Sequence, residues 1–204
     1  MHAAPPRSPP RVLADLFART RVHDGLLVLG AALFTALLAQ VSLSVPGSPV
    51  PITGQTLAVV LTAAALGPVR GMAGQLADVL LGAVGLPFYS KAASGLGQVL
   101  GPTGGFLLGF IPAALLVGLA ARHGFDRRPW KAVPLFIAGQ LVIFAVGVPW
   151  LAGVASLDFA TALAKGFLPF IPGGLLKATI AGLLMPLAWR WAGLGRRQQR
   201  GSPQ

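Results

Sequence analysis

Residues Gly82–Gly105 read GAVGLPFYSKAASGLGQVLGPTGG. The stretch is rich in Gly and Pro, but a water-facing linker would carry many more Asp, Glu, Ser and Lys. It carries Leu, Val, Phe and Tyr instead, with Lys91 as its single charge. Apolar segments flank it on both sides, Gly71–Leu81 before and Phe106–Leu119 after. Glycine lets a backbone bend and approach its neighbours closely. The stretch therefore suits a lid, or a loop that re-enters protein at membrane depth.

The composition of the whole chain supports a membrane setting. Of 204 residues, 54% are hydrophobic and 10% charged, against about 25% charged in soluble domains. That leaves too few polar groups to cover a surface in water. The fold class expected is an all-α integral membrane protein. Cysteine is absent, which excludes disulfides, thiolate metal sites and a Cys nucleophile. The net charge of +11 does not point to nucleic acid, because the basic residues fall at helix ends rather than on one folded face. They read as topology signals and as contacts for anionic membrane lipid.

Six apolar segments are expected to be helical: Gly25–Leu43, Thr56–Leu66, Gly71–Val84, Gly104–Ala121, Ala132–Trp150 and Ile171–Trp191. The first also resembles a signal-peptide core ending at LLAQ, but its length and the apolar segments after it favour a retained helix. The second and third are short for full spans at about 1.5 Å per residue. A short interfacial helix is expected near Val12–Phe17, and some helix around Phe159–Ala164. The Pro-rich stretch Val45–Gln55 reads as a stiff extended loop. Residues 1–22 form a basic Pro-rich tail, 23–192 one six-helix membrane domain and 193–204 a second basic tail, with no internal repeat.

In a six-helix model, thirteen Lys and Arg residues fall on one side and two, Lys91 and Lys165, on the other. The positive-inside rule then places both termini in the cytoplasm. Loops 44–55, 85–103 and 151–170 face outside.

Two ionisable residues lie inside apparent spans, Asp78 and Lys177. Such charges are costly and usually face a cavity or the protein interior. Counted along their helices, Asp78 lies roughly 9 Å and Lys177 roughly 7–8 Å from the outer end. They are expected to line an outward-facing cavity, or to form an ion pair between the third and sixth helices. Gln55, Gln75, Tyr89, Gln98 and Gln140 are polar candidates around them, each also suited to helix–helix hydrogen bonding. Ala32 and Ala36 form a small-xxx-small pair suited to close helix contact, within the chain or with a partner.

Enzymatic readings find little support. His2, His23 and His123 lie in tails or at the basic edge, and Asp78 is the one acid inside a span, so no Ser–His or paired-Asp centre assembles. No GxxxxGK[ST] motif is present, so ATP hydrolysis by this chain is not expected. A channel would need repeated polar rings or an oligomer. The reading that remains is a small-solute binding or transport subunit, with no cofactor.

Four motifs narrow that class: VPITGQTLAVVLTAAALGPVRG at 50–71, LLGAVGLPFYS at 80–90, GLGQVLGPTGGFLLGF at 95–110 and FLPFIPGGLLKA at 167–178. In order and spacing they resemble the BioY family, the biotin-binding S components of energy-coupling factor vitamin transporters. The resemblance runs from about Val45 to Ala178. It implies a six-helix membrane protein that captures biotin from outside. Its partners would be a transmembrane coupling subunit and cytoplasmic ATPase subunits. It also implies a ligand role for Lys177, and a docking role for the Ala-xxx-Ala pattern of the first helix at Ala32 and Ala36. The chain departs from the family at Gly174, where the motif usually has Asp. Asp78 is the acceptor expected to replace it. The alternatives are an S component for another vitamin-like solute, or a structural or assembly membrane protein without a transport role.

Overall fold

The computed structural model describes residues 12–16 and 20–200, with side chains described through Gly193. Most of the two tails therefore lies outside the described residues. Helix α1 (Arg21–Gln40) starts on Thr20, whose side chain accepts from the His23 N–H. Two short strands follow, β1 (Ser42–Leu43) and β2 (Ile52–Thr53), paired antiparallel with Ser42 opposite Thr53. The stretch expected to be a plain extended loop is thus closed into a small hairpin. Its backbone hydrogen bonds are made internally.

Helices α2 (Gln55–Leu66) and α3 (Pro68–Ala83) meet at Gly67, which has φ +84°. Pro68 opens α3, where its missing N–H costs nothing. Next come α4 (Leu96–Leu100), α5 (Gly104–Arg122), α6 (Pro129–Val154), α7 (Phe159–Gly166) and α8 (Ile171–Arg200). The Asp158 side chain caps α7 by accepting from the Thr161 N–H. The segment Val12–Phe17 gives a single 3-10 turn at Leu13–Leu16 rather than a longer helix, and Phe17 is outside the described residues.

Among the described residues, four helical segments are long and apolar enough to cross a membrane: Arg21–Gln40, Gly104–Arg122, Pro129–Val154 and Phe159–Gly193. At about 1.5 Å per residue, α2 extends roughly 18 Å and α3 roughly 24 Å, short of a ~30 Å hydrocarbon core. Both pack against α1 and α5. Large apolar side chains such as Leu26, Leu33 and Leu37 of α1 are exposed, as suits a surface in lipid.

Small residues bring the helices together. A Cβ on Gly74 would meet the Ala31 Cβ at 2.7 Å, so α3 lies almost backbone to backbone on α1. Gly109 of α5 similarly faces the backbone of Ile143 in α6. This packing corrects one expectation. Ala32 is 0% and Ala36 7% exposed, both within the main core cluster. The small-residue face of α1 is covered by the chain's own helices, so it offers no docking surface.

The two ends of the bundle differ. At one end Arg70, just after the α2–α3 turn, pairs with Asp15 at 3.1 Å and Asp24 at 2.8 Å. Val12 packs beside Gly67 there. Trp189 of α8 donates to Asp126 of the α5–α6 connection, and Arg127 lies over the same indole. The other end holds the hairpin, α4, α7 and a cavity.

Candidate functional site

The cavity has a volume of about 360 Å³, within the usual range for small-molecule sites of roughly 300–1,000 Å³. The hairpin loop forms one wall through Ser44–Val45, Ser48–Pro51 and Thr53. The opening stretch Gly82–Gly105 forms another, through Tyr89, Ser90, Lys91, Ala93, Gln98 and Thr103. Helices α2, α5, α6 and α8 close the remainder.

One side of the cavity is aromatic. Phe106 stacks on Phe170 at 6.5 Å, and Phe144 meets both edge-on at 6.0 and 5.8 Å. Such a wall takes a flat or bulky apolar group without needing a polar partner. Another part is polar. The Lys177 ammonium donates to the Thr53 carbonyl at 2.9 Å, tying α8 to the hairpin. Gln55 accepts from the Thr53 hydroxyl at 3.1 Å. Gln140 donates to the Gly174 carbonyl at 3.0 Å.

This polar part is incompletely bonded. Gln55 Nε2, Thr56 Oγ1, Ser90 Oγ and Gln140 Oε1 are buried side-chain atoms without a hydrogen-bond partner, and all four residues line the cavity. Native proteins satisfy nearly all buried polar groups, so a cluster of exceptions around one cavity marks where a ligand's polar groups belong.

The Gly82–Gly105 segment is held in place by side-chain hydrogen bonds. Tyr89 donates to the Val79 carbonyl at 2.6 Å, and its ring lies where a side chain on Gly82 would be. Lys91 and Ala92 both take left-handed φ, at +59° and +57°. Non-glycine residues pay a cost there and persist only where their surroundings hold them. Gln40, in the last turn of α1, supplies that hold. It accepts from the Ala92 N–H at 2.8 Å and donates to the Pro87 and Tyr89 carbonyls at 3.3 and 3.2 Å. Lys91 donates to Ser44 at 2.8 Å, joining the lid to the hairpin side. Sequence reasoning missed Gln40. It stood inside a helix expected to continue to Leu43, where a lone Gln carries no signal.

Lys177, Gln55, Tyr89 and Gln98 thus all line the cavity. Asp78 and Gln75 do not line it. Asp78 is 0% exposed and neither carboxyl oxygen has a hydrogen-bond partner. It makes no ion pair with Lys177, whose ammonium is on Thr53. Gln75 bridges helices instead, donating to Thr35 at 3.3 Å and Thr62 at 3.1 Å. The physical reason is azimuth. Equal depth along two helices does not place two residues on facing sides of them.

A sequence model of the BioY family matches residues 12–193. The chain is similar to Biotin transporter BioY of Rhizobium etli, 39% identical over 165 residues that cover 75% of this chain and 87% of that protein. It is also similar to Biotin transporter BioY2 of Lactococcus lactis subsp. cremoris, 37% identical over 166 residues, 78% of this chain and 87% of that one. Its fold resembles the crystal structure of the S-component for biotin from an ECF-type ABC transporter. The TM-score is 0.77 at 23% identity, covering 85% of this chain and 95% of the other. A family match that spans nearly all the described residues, with relatives at this identity, places the chain in the BioY family.

Proposed function

We propose that this protein captures biotin at the outer face of the plasma membrane, as the substrate-binding component of a biotin uptake system. The observation that carries the reading is the cavity, where a phenylalanine wall adjoins a cluster of unpartnered polar atoms and a lysine. Biotin has the complementary character: an apolar bicycle with sulfur, a urea edge with N–H donors and a carbonyl, and a carboxylate tail. The phenyl rings of Phe106, Phe144 and Phe170 suit the bicycle. Lys177 offers a cation beside the hairpin, fit for the carboxylate or the urea oxygen, while the other lysine lining the cavity, Lys91, is held on Ser44. Gln55, Gln98 and Tyr89 supply further polar contacts. The chain acts by binding and release, not by bond chemistry.

Six helices would cross the membrane, α1, α2, α3, α5, α6 and α8, with both termini cytoplasmic. The hairpin and the Gly82–Gly105 segment would then close over the ligand from outside, excluding water. Passage inward would draw on a transmembrane coupling subunit and cytoplasmic ATPases, since the chain lacks a P-loop. Their docking surface lies elsewhere than at the buried Ala32 and Ala36.

The direct test is equilibrium binding of labelled biotin to the purified protein in detergent. Saturable binding, displaced by unlabelled biotin and not by an unrelated vitamin such as thiamine, is expected. Absence of saturable binding by monodisperse protein overturns the reading.

A further inference from the structure

Gln140 lies near the middle of α6, is 4% exposed and forms part of the cavity wall. Its Nε2 donates to the Gly174 carbonyl. A carbonyl can only accept, so this contact fixes which amide atom is which: the nitrogen is the one on the Gly174 carbonyl, and the oxygen is the one left beside the Gly174 Cα. That oxygen is buried and has no donor. The other unpartnered atoms on the wall are an amide nitrogen, Gln55 Nε2, and two hydroxyls, Thr56 Oγ1 and Ser90 Oγ. Gln140 Oε1 is the one among them that can only accept.

The space it occupies is provided by α8. A Cβ added at Gly174 would sit 2.9 Å from Gln140 Oε1. A side chain at 174 would contend with the amide for that space. Lys177 follows Gly174 by three residues, on the same side of the helix, and lines the same cavity. An ammonium that only donates and an amide oxygen that only accepts thus belong to residues lining one cavity. Together they complement a ligand edge that carries a carbonyl beside an N–H, the arrangement in a cyclic urea or lactam.

We propose that Gln140 is a specificity-determining residue whose side-chain oxygen accepts a ligand N–H of this urea type, in the space that Gly174 leaves open. The inference rests on the biotin reading and adds to it the residue that reads one urea nitrogen.

The test compares biotin with its two analogues methylated on one or the other urea nitrogen, using purified full-length protein in detergent. Wild-type protein should bind one of the two analogues about tenfold or more weakly than biotin, the usual effect of one unmet hydrogen bond in a buried site. Gln140→Leu should bind biotin weakly by a similar factor and should no longer distinguish it from that analogue. Gly174→Ala displaces the amide without removing it and should also reduce the discrimination. It carries the comparison if the Leu variant elutes as aggregate. Protein that binds biotin and discriminates equally well with and without the Gln140 amide overturns the proposal and leaves the biotin reading intact. Protein that binds no biotin overturns both.

Discussion

The two ends of the bundle treat their polar groups in opposite ways. At the basic end, Arg70 spends its guanidinium on two carboxylates, and Asp126 takes the Trp189 N–H under a stacked Arg127. At the cavity end, four residues point unpartnered polar atoms at one space, and two non-glycine residues sit in left-handed backbone. The basic end is bonded largely to itself, although Asp126 Oδ1 is buried there without a partner. The cavity end stores unmet hydrogen bonds and strain, which a bound ligand and a closing lid would relieve. Substitutions should therefore separate cleanly: those at the basic end change stability, and those at the cavity end change binding.

The largest effect should come from orientation. Ser94 is exposed in the lid segment and His123 is exposed after α5. The chain has no native cysteine, so a single introduced thiol reports without background. Ser94→Cys in intact cells should react fully with an impermeant thiol reagent, and His123→Cys only after the membrane is opened. The reverse pattern would put the cavity on the cytoplasmic side and break the assignment of the two ends.

Next in size is the contrast between the two charges inside the helices. Lys177→Met removes the cavity's tie to Thr53 and, on the proposed reading, a donor to the ligand. Charged hydrogen bonds are worth about 1.5–3 kcal/mol, so biotin affinity should fall roughly 10- to 100-fold. Asp78→Asn alters a group that does not line the cavity, and its affinity should stay within about threefold of wild type, under 1 kcal/mol. Isothermal titration of both variants decides the point. Equal losses would return Asp78 to the site.

Those two residues also show what the sequence could and could not reveal. Helix extents were readable from apolar runs and their Gly, Pro and Thr boundaries. The segments expected at Thr56–Leu66 and Gly71–Val84 appear as Gln55–Leu66 and Pro68–Ala83. The place of Gly82–Gly105 beside the cavity was readable because a nearly uncharged, aromatic-bearing loop has to pack against something. Helix azimuth was not readable. In a soluble helix the polar face marks the side turned to water, but in lipid the exposed side is apolar too, so Gln75 and Asp78 mark the buried side of α3 without showing which neighbour it meets. Asp78 therefore lies in the expected span but off the cavity, and of the two contacts open to Ala32 and Ala36, within the chain or with a partner, the buried one within the chain is what they make. Gln140 was visible as a polar residue in a span. Its meaning came only with the Gly174 carbonyl, 34 positions away, that orients its amide.

At the basic end, Arg70→Ala removes two partly exposed ion pairs that link the N-terminal segment to the α2–α3 turn. Such pairs are worth about 0.2–1 kcal/mol each, so the cost should be about 1 kcal/mol of stability. Biotin affinity should remain unchanged. A thermal shift assay run beside the titration checks both halves. A loss of affinity without a fall in melting temperature would mean that the two ends are coupled.

The smallest effect concerns Asp126, in the connection between α5 and α6. Burial pushes its carboxyl above the usual 3.8, and the Trp189 hydrogen bond and the Arg127 charge offset only part of that rise. A carboxyl with a raised value holds its proton more tightly folded than unfolded. Its contribution to stability is therefore fully present below about pH 3.8 and is lost as pH rises from there through the folded value. Asp126→Asn cannot ionise, and its amide oxygen can still take the Trp189 N–H. The variant should match wild type at the acid end of the range and become relatively more stable as pH rises, with biotin affinity unaffected. Melting curves collected at intervals from pH 4 upward measure the difference. If the gap between the two proteins narrows with rising pH, the Trp189 and Arg127 contacts outweigh burial, and the carboxylate at this end is stabilised as an ion.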